Sequence, residues 1–289
     1  FSLFNLRIFS EDLGKSVYFS RVLLLFVSAN ILASFAVGPV FEYGSSKSAL
    51  LISEPSYVAL IIFPFILFLS LIRDSRAIWF IVFFAIYALL VQNLTVILVL
   101  CVSSFFYFSG ALLRVLFIVV FPVFAFFVLA DEYFLDRVSI SSSSENMSVL
   151  VLLQGWENAR LALGFSNFMG VGFQQFGVVG PVGAISAKID DYGFAGLNLY
   201  DGGTLAAKIV GEMGLLGMVL LLLYVVFAVR CLMYIFKNTY DPSRVGDYFA
   251  IACVLSFSAE IFIRGVGYFS SGGLLFVLSS LYLLRWKRL

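Results

Sequence analysis

The stretch that decides the fold class is residues 206–229, AAKIVGEMGLLGMVLLLLYVVFAV. It carries no charged residue after Glu212. A helix needs about 20 apolar residues to cross a bilayer, and this stretch is longer than that. The whole chain agrees, since 62% of its 289 residues are hydrophobic and 12% are charged, with a mean hydropathy of +1.06. Ordinary soluble domains carry about 25% charged residues. The composition predicts an all-α integral membrane protein and argues against a soluble, disordered or nucleic-acid-binding one.

The residue types that the sequence lacks exclude several kinds of catalytic and metal site. The sequence contains no histidine, which removes His-based metal sites, His acid–base catalysis and Ser–His or Cys–His nucleophiles. Cys101, Cys231 and Cys253 lie in apolar runs and indicate neither a disulfide framework nor a zinc site. The net charge of +1 gives no global attraction to anions. We expect no metal and no cofactor.

The apolar runs predict a polytopic protein with about eight transmembrane helices. They lie near residues 22–41, 57–72, 77–91, 94–109, 112–130, 206–229, 248–264 and 270–285. A single helix through 77–109 would be about 50 Å long, far over the hydrocarbon thickness. The polar pair Gln92–Asn93 therefore favours a tight hairpin.

The distribution of charge orients these helices. Most Lys and Arg residues fall on one side of the predicted membrane, which the positive-inside rule makes cytoplasmic, and most carboxylates fall on the other. This predicts helices in 1–130, one large periplasmic loop in 131–205 and helices in 206–289, with both ends cytoplasmic. The sequence begins at Phe1, and we expect further helices to precede it.

The predicted outer loop contains two distinct segments. Residues 148–164 favour a helix that is too polar to face lipid and is expected to lie along the membrane interface. Residues 170–183 are apolar but contain glycines, a proline and the pair Gln174–Gln175. Irregular backbone persists at membrane depth only where it lines a cavity, so this stretch is interpreted as a loop dipping toward the membrane.

Charged residues near the predicted outer ends of the helices each have an ordinary structural explanation. Glu54 precedes Pro55, a pattern typical of a helix N-terminus. Lys208 and Glu212 have the i,i+4 spacing of a simple helix ion pair. Each of these residues is also a candidate site residue.

Arg264 stands out among these residues. It lies on the side where Lys and Arg are scarce, in a short loop with Gly265, Gly267 and Tyr268. Snorkelling or an i,i+4 ion pair with Glu260 would explain it structurally. An ionisable group at the membrane rim is also a functional hypothesis by default.

Together these features predict a cavity at the outer membrane surface that contains both cations and carboxylates. Such a cavity suits transfer of a glycan from a lipid-anchored diphosphate donor. Cations stabilise the departing diphosphate, and a carboxylate accepts the proton of the acceptor hydroxyl.

Several short motifs, in this order along the chain, resemble O-antigen polymerases of the Wzy type, within the O-antigen ligase and polymerase superfamily. They are SEPS at 53–56, LQGWENA at 153–159, GVGFQQFG at 170–177, KIVGEMG at 208–214 and IRGVGYF at 263–269. Related ligases usually present a His before an E-x-G-x-x-G stretch, where this chain has Gly202, Gly203 and Thr204. The resemblance therefore favours a polymerase over a ligase.

The resemblance implies a metal-independent glycosyltransferase in the bacterial inner membrane. It would polymerise undecaprenyl-diphosphate-linked oligosaccharide repeat units at the periplasmic face. The implied partners are that substrate, membrane lipids, a chain-length regulator and a flippase, with no nucleic acid. A flippase for the same lipid-linked sugar and an O-antigen ligase are the alternatives.

Residue roles follow as hypotheses. Arg264 is the first candidate for diphosphate contact, Glu157, Glu54 and Glu212 are candidate bases, and Trp156 and Tyr268 are candidates for stacking on sugars. Trp156 also fits an interfacial anchor. The remaining candidates are Arg160, Arg137 and Lys208 for the diphosphate and Gln174 and Gln175 for sugar hydroxyls.

Overall fold

A computed structural model of the chain describes residues 13–37, 51–52, 54–108, 110, 144–238 and 240–285. Within these ranges the regular secondary structure is helical, which confirms the all-α prediction for this part of the chain. The helices are α1 (Leu13–Val37), α2 (Pro55–Leu71), α3 (Ala77–Val91), α4 (Leu94–Tyr107), α5 (Met147–Phe165), α6 (Ala184–Asp191), α7 (Leu205–Lys237), α8 (Val245–Phe262) and α9 (Ser271–Arg285). A 3-10 turn, Pro242–Arg244, leads into α8.

The described part of the chain has the character of a membrane protein. Three of its helical segments are long and apolar enough to cross a bilayer: Gly14–Ala36, Leu205–Lys237 and Pro242–Phe262. Helices α2, α3, α4 and α9 are apolar but shorter. The total of about eight spans and the periplasmic side of the loop remain predictions. The predicted span 112–130 and Arg137 lie outside the described residues.

The hairpin predicted at Gln92–Asn93 is confirmed, with α3 ending at Val91 and α4 beginning at Leu94. Gln92 adopts a left-handed conformation with φ 55°, which ends α3. Asn93 then caps α4, because its side-chain oxygen accepts hydrogen bonds from the backbone amides of Thr95 and Val96. Asparagine is among the preferred N-cap residues, which accounts for the start of α4.

The described residues within 1–129, 231–257 and 271–289 form one compact unit. Helix α2 lies at its centre and packs against α1, α3, α4 and α9. Most of α2 is buried; for example, Phe68 lies edge-to-face with Phe249 of α8 at a ring separation of 5.2 Å. Arg21 of α1 pairs with Asp74 in the turn between α2 and α3.

The described residues within 130–230 and 258–270 form the second unit. Helix α5 packs on α6, on the turn before α7 and on the first part of α7. Phe176, from the glycine-rich stretch, is buried with Ala159, Leu163, Ala207 and Val210. The predicted helix 148–164 is thus confirmed as α5, and residues 170–183 are irregular as expected.

Helix α7 continues eight residues beyond the predicted end at 229, to Lys237. At about 1.5 Å per residue its length is about 50 Å, well above a hydrocarbon thickness of about 30 Å. Gly214, with φ 59° and ψ −133°, interrupts the helical backbone. Glycine adopts this conformation without the steric cost that other residues carry.

Gly155 allows α5 to approach the turn before α7. A Cβ added there would lie 1.8 Å from the carbonyl oxygen of Gly202, whereas one added at Gly164 of the same helix would meet nothing within 4 Å. We therefore expect Gly155→Ala to lower the free energy of unfolding by about 1–3 kcal/mol, the usual cost of overpacking.

The matched control is Gly164→Ala, which should be neutral or stabilising by up to about 1 kcal/mol. Unfolding of both variants in detergent, followed by circular dichroism, measures the difference. Equal stability of the two variants would contradict the close packing of α5 on Gly202.

Candidate functional site

A buried polar cluster in the second unit is formed by Lys208, Glu212 and Tyr268. Lys208 is 3% exposed and Glu212 is 2% exposed. The Lys208 Nζ lies 3.5 Å from Glu212 Oε1, and the Tyr268 hydroxyl donates to Glu212 Oε2 at 2.7 Å. The backbone amide of Phe176 also donates to Glu212 Oε1, at 3.3 Å. The carboxylate thus has two hydrogen-bond donors and one ion-pair partner, which compensate its removal from water.

Two elements bring this cluster together. Lys208 and Glu212 share one face of the first part of α7 because they are four residues apart. The loop after α8 supplies Tyr268 and is fixed to the turn before α7 by the Gly265 amide, which donates to Gly203 O at 2.9 Å. A Cβ added at Gly265 would lie 2.7 Å from Leu205 N, so the two backbones are in close contact.

Lys208 and Phe173 both contact the Tyr268 ring of the cluster. Lys208 Nζ lies 5.5 Å from the centroid of the Tyr268 ring and donates to Tyr200 O. The Phe173 ring stacks on the Tyr268 ring, with the two ring centroids 5.2 Å apart. Burial, and next the hydrogen bond to Glu212, raise the pKa of the Tyr268 phenol above its usual range. Tyr268 therefore stays a neutral donor to the carboxylate at physiological pH.

The glycine-rich stretch is attached to the break in α7. Val171 N donates to Gly211 O and Gly172 N donates to Glu212 O, each at 3.0 Å, while Leu215 N donates to Phe168 O at 3.0 Å. The loop thus satisfies backbone groups that the interruption at Gly214 removes from the helix, since backbone polar groups away from water are nearly always paired.

Arg264 lies in the same loop as Tyr268 and is partly buried, with a buried Nε atom. Its backbone amide donates to Ala259 O at 2.9 Å. Glu260, which the sequence offered as an ion-pair partner of Arg264, is 3% exposed and accepts a hydrogen bond from Ser270 Oγ. The residue after Arg264, Gly265, is the one that is hydrogen-bonded to the turn before α7.

Glu157 lies elsewhere in the unit and has a structural role. Its Oε2 accepts from the backbone amide of Ile185 at 2.9 Å, in the first turn of α6. On the same face of α5, Asn158 accepts from Gly183 N and donates to Ser186 Oγ. Gln154 also donates to Ser186 Oγ, at 3.1 Å. This face of α5 anchors the N-terminus of α6, where a negative charge is stabilising.

The other sequence candidates are dispersed. Arg160, Trp156 and Gln174 are exposed, and Gln175 is partly exposed. Glu54 belongs to the first unit, where it occupies the N-cap position of α2 and accepts from Ser56 Oγ at 3.2 Å.

The structure adds Asp201 as a candidate site residue that sequence reasoning did not propose. Asp201 is partly exposed, and its Oδ1 would lie 3.5 Å from a Cβ added at Gly267, between Arg264 and Tyr268. It follows Tyr200, whose carbonyl oxygen accepts from Lys208. The sequence feature that could have indicated Asp201 is its position in the Asp201–Gly202–Gly203 turn directly before α7.

Among the described residues, no group of three Cys, Asp or Glu side chains is arranged to hold a metal ion. Metal independence of the chemistry remains a prediction. No protein-family model, curated protein or solved structure matches this chain.

Proposed function

We propose that the chain is a membrane glycosyltransferase that extends a glycan from a polyprenyl-diphosphate-linked donor, as an O-antigen polymerase does. The observation that carries the proposal is the buried Lys208–Glu212–Tyr268 cluster, at the start of a helix long and apolar enough to cross a membrane. Arg264 comes from the loop fixed to the same turn. Cations at such a place suit the diphosphate of a lipid.

The dimensions of α7 support this assignment. Beyond Gly214, exposed apolar side chains run from Leu215 to Phe236, about 32 Å along the axis at about 1.5 Å per residue. This matches a hydrocarbon thickness of about 30 Å, and Arg230 near the far end is within snorkelling reach of the interface. Lys208 and Glu212 precede the break and so lie at headgroup depth, where a lipid diphosphate lies.

The reaction divides into defined steps. The bond between the donor sugar's anomeric carbon and the diphosphate breaks, and that carbon bonds to the oxygen of the acceptor hydroxyl. Arg264, which is partly exposed, stabilises the departing diphosphate, and Lys208, which is 3% exposed, adds its positive charge without direct contact. Glu212 is fully buried and has two hydrogen-bond donors and one ion-pair partner; it is a positioning residue that orients Lys208 and Tyr268. The acceptor proton passes to a carboxylate that solvent can reach.

Asp201 fits that base role better than Glu157, because it lies beside the loop of Arg264 and Tyr268. We expect Asp201→Asn to lower the polymerisation rate by about 10²–10⁴, the usual contribution of a general base. Glu157→Gln keeps an acceptor oxygen for Ile185 N and should leave the rate nearly unchanged. Initial rates with both variants at equal membrane abundance measure this, and the reverse pattern would identify Glu157 as the base.

A flippase for the same lipid-linked glycan is the second candidate, and the broken helix α7 favours it, since transporters often use discontinuous helices. In transporters such breaks lie near mid-bilayer, whereas the break at Gly214 precedes the whole exposed apolar stretch. This location favours the transferase.

A reconstitution assay tests the proposal. The purified chain in liposomes receives a lipid-linked repeat unit, and products are separated by size. We expect a ladder of lengthened glycans that persists with a chelator present. Unchanged glycan moved to the opposite leaflet would identify a flippase, and loss of the ladder with chelator, restored by Mg²⁺, would overturn the metal-independent mechanism.

We further propose the bacterial inner membrane as the location, with residues 131–205 on the periplasmic side. The charge distribution of the sequence supports this orientation. A chain-length regulator and a flippase are the expected protein partners.

A further inference from the structure

Residues 165–182, which we name the apolar loop, expose an unusual amount of apolar surface for a connecting segment. Met169 is 81% exposed and Phe173 is 55% exposed. The other large apolar side chains that the loop exposes are Phe165, Phe168, Val178, Val179 and Val182. Contiguous exposed apolar surface of this kind marks a contact with a partner or with lipid.

The attachment of the apolar loop identifies the partner. The loop's hydrogen bonds to α7 are made on both sides of Gly214: the amides of Val171 and Gly172 donate to the preceding turn, and the amide of Leu215 donates to Phe168 O. Leu215 and Leu216 are themselves exposed and begin the long apolar surface of α7. The exposed side chains of the loop thus continue a surface whose length matches the hydrocarbon layer.

The backbone of the apolar loop is held in place by local hydrogen bonds and by close contact with α7. Asn167 and Phe168 have left-handed conformations, with φ 51° and 66°, and the Phe168 amide donates to Leu163 O at 2.8 Å. A Cβ added at Gly170 would lie 2.3 Å from Glu212 O. Apart from Phe176, whose side chain is buried against α7, the loop contacts α7 through backbone atoms. The other large apolar side chains named above are exposed.

We infer that the apolar loop inserts into the lipid bilayer beside α7, with Phe168 and Met169 at the boundary between headgroups and acyl chains. Apolar side chains on an interfacial segment bind a membrane in proportion to the apolar area that they bury. The inference rests on α7 crossing a membrane and is independent of the proposed transferase activity.

Tryptophan fluorescence tests this insertion. In a chain whose native tryptophans are replaced by Phe, Met169→Trp places one indole in the loop, and Asp191→Trp places one at the exposed end of α6. Each full chain is reconstituted into phosphatidylcholine vesicles with and without bromine on the acyl chains. We expect blue-shifted emission and at least a twofold loss of intensity in brominated vesicles for Met169→Trp, with little change for Asp191→Trp.

Phe173→Trp is a second reporter that preserves an aromatic ring against Tyr268. Its fluorescence should also be quenched by brominated lipid. This variant provides the test if Met169→Trp does not reconstitute into vesicles. Equal, water-like emission at 169, 173 and 191, without quenching by brominated lipid, would overturn the insertion. Helical circular dichroism of each variant establishes that the compared chains are folded.

Discussion

Lys208→Met is expected to lower the free energy of unfolding by about 3–5 kcal/mol, the usual cost of removing one partner from a buried ion pair. The Glu212 side chain has no exposed surface, so its charge would remain buried with only the Tyr268 hydroxyl and the Phe176 amide as donors. Chemical unfolding in detergent measures the change.

The double variant Lys208→Met with Glu212→Gln tests the origin of this loss. It removes both charges and keeps groups of similar size, so it should recover most of the lost stability. Arg244→Met removes a charge from the exposed pair with Asp241 and should leave stability unchanged, because exposed pairs contribute little. A double variant as unstable as Lys208→Met would contradict a coupled buried pair.

Arg264→Ala is expected to lower the rate of glycan transfer by about 10²–10³, the usual effect of removing one donor to a developing oxyanion. Arg264→Lys should keep only a fraction of activity, because an ammonium lacks the two-pronged geometry with which a guanidinium binds phosphate. Initial rates with the lipid-linked donor, normalised to protein in the membrane, measure both effects.

Glu260→Ala separates this role from a structural one. Glu260 lies one helical turn before Arg264 and accepts a hydrogen bond from Ser270. If Arg264 acts on the diphosphate, Glu260→Ala should leave much more activity than Arg264→Ala does. Full activity of Arg264→Ala at normal membrane abundance would rule out the diphosphate role.

The helices were predictable where their signals are local. Gln92 and Asn93 are short-range breakers, and their cap and left-handed conformations set the ends of α3 and α4. The pair of Lys208 and Glu212 follows from i,i+4 spacing alone. The break at Gly214 was missed, because a single glycine in an apolar run is also tolerated within a helix.

The site was less predictable, because its contacts join distant segments. Tyr268 and Glu212 are 56 residues apart in sequence, and no local pattern indicates that they bond. Glu157 was predicted as a base, yet it binds the first turn of α6. That eight-residue helix carries too weak a sequence signal to predict the contact.

Photolabelling measures the central claim most directly, namely that a lipid diphosphate binds at the loop of Arg264 and Tyr268, beside the buried pair of Lys208 and Glu212. The reconstituted chain is irradiated with a polyprenyl diphosphate that carries a diazirine beside the diphosphate, and the labelled peptides are identified by mass spectrometry. We predict adducts in residues 199–212 and 264–270 that undecaprenyl diphosphate prevents by competition. Adducts confined to residues outside 144–230 and 258–270, or adducts that competitor does not reduce, would contradict the account.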